Sequence, residues 1–166
     1  MQYAELPRAA TEKETLIAFL QWQRATLRRK CDGLTDEQLR TRSAPPAKLS
    51  LLGLVRHLAD VEREWIRVIL NGEPPEYRFF SDDDPDGGFD HLDSANVAEN
   101  FAAWREECAI ADRIIESHSL DDQGTTAAGR RFSLRWMLVH LVEEYSRHNG
   151  HADLLRERID GATGYG

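Results

Sequence analysis

His57, Glu144 and His148 combine side-chain types and spacings suited to holding a divalent cation. Glu144 and His148 stand four residues apart in SLRWMLVHLVEEYSRHNGHADLLRERIDG. On a helix that spacing brings Cβ atoms to roughly 5–6 Å, so both side chains can close on one ion. His140 and Glu144 share the spacing. Zinc-type ligands lie only ~2.0–2.2 Å from the metal, so one helix cannot complete such a site and a further donor must come from a facing element. His57, in LSLLGLVRHLADVEREW, meets that need, with Asp60 and Glu64 close by as acceptors that would fix its tautomer. His151 is open to three roles: ligand, acid–base group or hydrogen-bonding neighbour of His148. The same residues also permit a metal-free, hydrogen-bonded core network or a surface ion pair.

These groups stand where core residues are expected. Leu134, Met137, Leu141, Glu144, His148, His151 or Ala152, and Leu155 fall on one helical stripe, and Leu54, His57 or Leu58, Val61, Trp65 and Val68 fall on another. Capping signals delimit four long helices. Thr11 and Glu14 form a capping-box pattern for the first, which ends before Gly33 and turns Leu16, Phe19, Leu20, Gln23 and Leu27 inward. Thr35 and Gln38 repeat the spacing ahead of a short turn. Pro45 and Pro46 interrupt the chain, and Ser50 caps a second helix running to Asn71-Gly72.

From Gly72 to about Asp93 there is no sustained period, only prolines, glycines and the acidic run SDDDPDGG. The run reads as a solvated loop, since it lacks the spaced ligands and terminal Glu of an EF-hand, and the connection is long enough to cover a pocket mouth. A third helix, about Ser94 to Ser117, carries the seam Val97, Phe101, Trp104, Cys108, Ala111 and Ile115. Ser133 caps the fourth, which ends with Ile159 before Gly161. Trp65 and Tyr145 read as packing residues that wall a pocket. The expectation is an all-α, antiparallel four-helix bundle with one long crossover loop, a single domain over residues 1–166, with no strand pattern.

Composition narrows the function. With 41% hydrophobic and 30% charged residues in 166, the chain belongs to the globular class. A net charge of −8 opposes a sequence-independent grip on phosphate backbones, so nucleic acid is not an expected partner. No run approaches the ~18 apolar residues of a membrane span, and MQYAELPRAATEKE lacks a basic region followed by an apolar run, so no membrane partner and a cytoplasmic location are expected. Cys31 and Cys108 form no CxxC pair and read as apolar fillers. No nucleophile elbow, phosphate-binding glycine loop or dinucleotide fingerprint is present. The His/Glu constellation is the chemistry the sequence offers.

The arrangement LSLLGLVRHLADVEREW, an acidic loop, then SLRWMLVHLVEEYSRHNGHADLLRERIDGATG resembles the DinB-like (YfiT-like) superfamily of four-helix metalloproteins, in an actinobacterial branch. RHNGHADLLRERIDG is the most specific segment. The resemblance implies that His57, Glu144 and His148 hold a divalent metal, zinc or else nickel. Many members carry a second His where this chain has Glu144, whereas mycothiol-dependent maleylpyruvate isomerase has a carboxylate there. His151 stands where common members have Gln. The resemblance implies a thiol S-transferase that uses a low-molecular-weight thiol of the mycothiol type as cosubstrate and a small-molecule electrophile as substrate. The thiolate would be metal-bound, with a homodimer in keeping. A metal-dependent hydrolase and a non-catalytic metal- or small-molecule-binding bundle are the alternatives.

Overall fold

The computed structural model describes residues 6–164; residues 1–5 of the N-terminal stretch and 165–166 of the glycine-containing tail lie outside the described residues. Helix α1 covers Glu12–Cys31, and Thr11 and Glu14 close the expected capping box. The short α2 spans Asp36–Arg40 behind a second such box. Ser50 caps α3, Leu51–Glu62, which continues without a break into a π-helical segment, Arg63–Leu70. The widened turn is visible in the bond from the Asn71 N–H to the Ile66 carbonyl, five residues back. Helix α4, Val97–Ser117, starts three residues later than its sequence pattern suggests, with Asn96 supplying the cap. Helix α5, Leu134–Asp160, runs from the Ser133 cap to Gly161 in the left-handed conformation.

The four long helices form the expected bundle. Their directions follow from the pairs they make. Glu12 meets Arg135, Gln23 meets Ser146 and Lys30 meets Asp153, so α1 and α5 run alongside in the same sense. Lys13 reaches Glu116 and Gln21 reaches Asp112, so α1 opposes α4. His57 faces Glu144 while Trp65 meets Trp136, so α3 opposes α5. Helices α3 and α4 are therefore parallel, which is why a long crossover must join them.

The core is aliphatic, with Leu27, Leu51, Leu54, Leu58, Ile66, Leu134, Met137 and Leu141 wholly buried. Phe19, expected inward, is 40% exposed. The absence of strands is corrected by a small hairpin, β1 (Gln123–Thr125) and β2 (Arg131–Ser133), paired antiparallel. It packs where only glycine fits, since a Cβ on Gly124 would collide with the Ile69 carbonyl oxygen at the end of the π-helical segment.

Two buried carboxylates tie the helices together. Glu62 receives the Nε–H and an Nη2–H of Arg24, each at 2.6 Å, and the Tyr145 hydroxyl at 2.8 Å; that hydroxyl in turn accepts the Trp104 indole N–H at 2.8 Å. Glu107 is held by Arg63, Arg67 and Arg78. Buried charges of this kind persist only when every lone pair is engaged. Among the described residues no helix is long and apolar enough to cross a membrane.

Candidate metal centre

Helix α3 fixes His57 by burying Leu54, Val55 and Leu58 on either side of it, and α5 fixes Glu144 and His148 by burying Leu141, Tyr145 and Ala152. Because the two helices oppose each other, the three side chains meet. His57 Nε2 lies 3.7 Å and His148 Nε2 3.5 Å from the same oxygen, Glu144 Oε2. All three ligand atoms fall within 4.8 Å of one another. Donors about 2.1 Å from a tetrahedral ion stand about 3.4 Å apart, so the spacing suits a shared ion and is too long for hydrogen bonds within the trio.

The charge state agrees. Burial pushes the His57 imidazole below its ordinary pKa despite the pull of Glu144. His148 falls to about 3 through burial, aided by the neighbouring His57, His151 and Arg147. Both rings are therefore neutral near pH 7, and their approach to Glu144 is not a pair of salt bridges. It is two available lone pairs beside a carboxylate, a donor set that zinc-type ions accept.

Neighbouring groups aim these donors. Arg147 forms an ion pair with Glu144 Oε1 at 3.0 Å, leaving Oε2 for the trio. His151 Nδ1 lies 3.3 Å from His148 Nδ1; with the proton on His148 Nδ1, donated to His151, the His148 Nε2 lone pair is free to face Glu144. His140 stays outside: it stacks on Trp136 with ring centroids 5.0 Å apart and meets the Trp65 edge. His140, Glu143 and Glu144 form a second convergent group, but Arg147 spans Glu143 and Glu144, placing a cation there already.

Asp60 and Glu64 do not serve His57 as the sequence suggested. Asp60 accepts the backbone N–H groups of Arg78, Phe79 and Phe80 at 2.8–2.9 Å, and Glu64 takes the Tyr77 hydroxyl. Both anchor the connection between α3 and α4 over His57. Gly88 packs on the His57 backbone, Phe89 lies 5.3 Å from its ring, and a Cβ on Gly87 would collide with the Phe79 carbonyl oxygen. Thus the long loop does border the pocket. Together with α3 and the π-helical segment it encloses about 910 Å³, lined by His57, Asp60, Glu64, Trp65, Tyr77 and Phe80 among others. Tyr145 packs as expected, wholly in the core, but does not wall the pocket beside Trp65.

Sequence reasoning missed Arg147, which sits on the exposed side of α5; its spacing of three from Glu144 was the available signal. His91 and His118 lie far along the chain in a loop and at the end of α4 and take no part in the trio. Neither cysteine is poised for attack: burial pushes Cys31 up to about 12 and raises Cys108 as well, with Glu62 adding to the latter.

A family model described as Mycothiol-S-transferase matches residues 15–161. No individually curated protein matches the chain in sequence. Among solved structures, the mycothiol-dependent maleylpyruvate isomerase superposes with a TM-score of 0.63 at 13% identity, over 84% of this chain and 60% of the isomerase. A variant of that isomerase with one histidine replaced by alanine gives 0.65 at 11% identity, over 92% and 62%. The chain thus spans about three-fifths of the length of these structures, and likeness at such identity concerns the fold.

Proposed function

The chain belongs to the mycothiol-S-transferase family, and from that premise we propose that it is a metal-dependent enzyme joining a low-molecular-weight thiol of the mycothiol type to an electrophilic small molecule. The observation that carries this reading is the convergence of His57 Nε2, Glu144 Oε2 and His148 Nε2, with His57 also lining a cavity large enough for a substrate. A divalent ion held by three protein donors, zinc in preference to nickel, would keep a position open to a thiol sulfur and lower its pKa from ~8.5.

The chain's own residues supply the rest. Burial keeps His57 and His148 unprotonated, so neither loses its lone pair near neutral pH. Arg147 holds Glu144 by one oxygen and leaves the other for the site. His151 acts through His148 by accepting the hydrogen bond of its Nδ1–H; the role supported here is positioning rather than acid–base catalysis. The anchored loop, with Trp65 opposite, confines the electrophile next to His57. The sulfur lone pair then forms the new C–S bond, and the displaced electron pair departs with a leaving group or, in an addition, takes a proton on the neighbouring carbon.

The test is conjugation of mycothiol to monobromobimane by the wild type and by His148→Ala, with metal content measured on the same samples. Conjugation that disappears together with the metal is expected. Conjugation retained without metal refutes the metal-dependent reading.

A further inference from the structure

We propose that the cavity beside His57 accepts an electrophile bearing positive charge and discriminates against anionic ones. The chemistry rests on the transferase reading, whereas the binding preference rests on the cavity alone. Four carboxylates, Asp60, Glu64, Glu76 and Asp82, line it, and among the described residues no Lys or Arg does. The nearby cations are turned elsewhere. Arg56 donates to the Gly87 carbonyl and lies over the Phe79 ring; Arg78 pairs with Glu106 and Glu107; Arg63 and Arg67 also pair with Glu107. Arg147 spans Glu143 and Glu144. The cavity wall is thus left with negative charge and with the acceptors of Glu76 and Asp82, since the Asp60 and Glu64 oxygens already receive backbone N–H groups and the Tyr77 hydroxyl.

Its remaining surface suits the same ligand. Trp65, Tyr77 and Phe80 contribute aromatic rings, with Phe80 38% exposed. Aromatic faces and carboxylates together favour an ammonium group through cation–π attraction and charge-assisted hydrogen bonds. A dicarboxylate such as maleylpyruvate, named for the isomerase of like fold, would meet like charge on every carboxylate of the wall. Specificity here comes from repulsion as much as from attraction.

The experiment compares two unreactive succinimides of equal heavy-atom count, one N-substituted with aminopropyl and one with carboxymethyl, by calorimetric titration of the full chain. The ammonium compound is expected to bind about tenfold more tightly at low salt, with the ratio shrinking as salt screens the wall. In a folded Glu76→Gln/Asp82→Asn variant the ratio should fall to about threefold. Equal binding, tighter binding of the carboxylate compound, or binding of neither overturns the proposal.

A parallel assay uses the two corresponding maleimides with mycothiol and zinc-loaded protein, each rate divided by the uncatalysed one. In that addition sulfur bonds to one alkene carbon and the other takes a proton, so no group is lost. A binding preference without any conjugation would refute the transferase reading and leave this one standing. Equal enhancement of both maleimides, with equal succinimide binding, would do the reverse.

Discussion

Replacing Tyr145 with Phe removes a single oxygen from a site that is wholly buried and fully engaged. The hydroxyl donates to Glu62 Oε1 at 2.8 Å and accepts from Trp104 Nε1 at 2.8 Å. A hydrogen bond to a charged group contributes ~1.5–3 kcal/mol, and a buried N–H left without a partner costs ~1–3 kcal/mol. The larger penalty for an unpaired buried charge, ~3–5 kcal/mol, is not incurred, because Arg24 still holds Glu62 with two bonds of 2.6 Å. The two contributions sum to about 2.5–6 kcal/mol, with a middle value of ~4 kcal/mol. At ~2–4 °C per kcal/mol for a domain of this size, Tm should fall by about 10 °C. Urea denaturation of metal-free protein is the assay, and the midpoint should drop at unchanged slope. Glu62→Gln, which weakens the counter-charge of Arg24, should cost at least as much. A Tyr145→Phe loss below about 1 kcal/mol would refute the argument that this knot fixes α5 against α3. Since Tyr145 follows Glu144 and Glu62 lies five residues beyond His57, the knot also sets the register of the three candidate donors; zinc affinity should weaken without being lost.

Other outcomes follow from the same geometry. His151→Leu should lower zinc affinity ~10–100-fold in competition with a chelating dye, and His151→Asn should recover part of it; unchanged affinity in both would remove His151 from the site. Metal-free protein should lose stability as pH falls from about 6.5 toward about 3. Over that window the unfolded chain protonates His148 at its ordinary pKa while the folded chain, with its pKa depressed chiefly by burial, does not; His57 contributes in the same direction. His148→Leu should flatten this dependence in thermal melts between pH 7 and 4, and an unaltered slope would contradict it. Gly87→Ala forces a Cβ against the Phe79 carbonyl oxygen and should loosen the loop, seen as faster proteolysis between residues 73 and 92; wild-type resistance would show that the loop is not anchored there.

Much of the scaffold was legible because capping is a local interaction. Thr11, Thr35, Ser50 and Ser133 each accept the expected backbone N–H, and the stripes that carry His57, Glu144 and His148 do face one another. The hairpin was not legible, since three-residue strands carry no period to read. Nor was the π-helical turn, whose residues continue the α3 pattern in sequence. Asp60 and Glu64 misled because proximity along a helix suggested a role toward His57, whereas the incoming loop offered Asp60 three backbone donors and Glu64 a hydroxyl. Glu62 and Glu107 look like solvated charges in sequence. Only the arginines and tyrosine brought by other elements explain why both are fully buried.

Whether His57, Glu144 and His148 form one metal site is decided by elemental analysis of untagged wild-type protein beside identically prepared His148→Ala. About one divalent ion per wild-type chain and almost none in the variant is the expected result. Equal metal in both, or none in either after zinc or nickel is supplied, would mean that the three side chains form a polar contact in the bundle and not a metal centre.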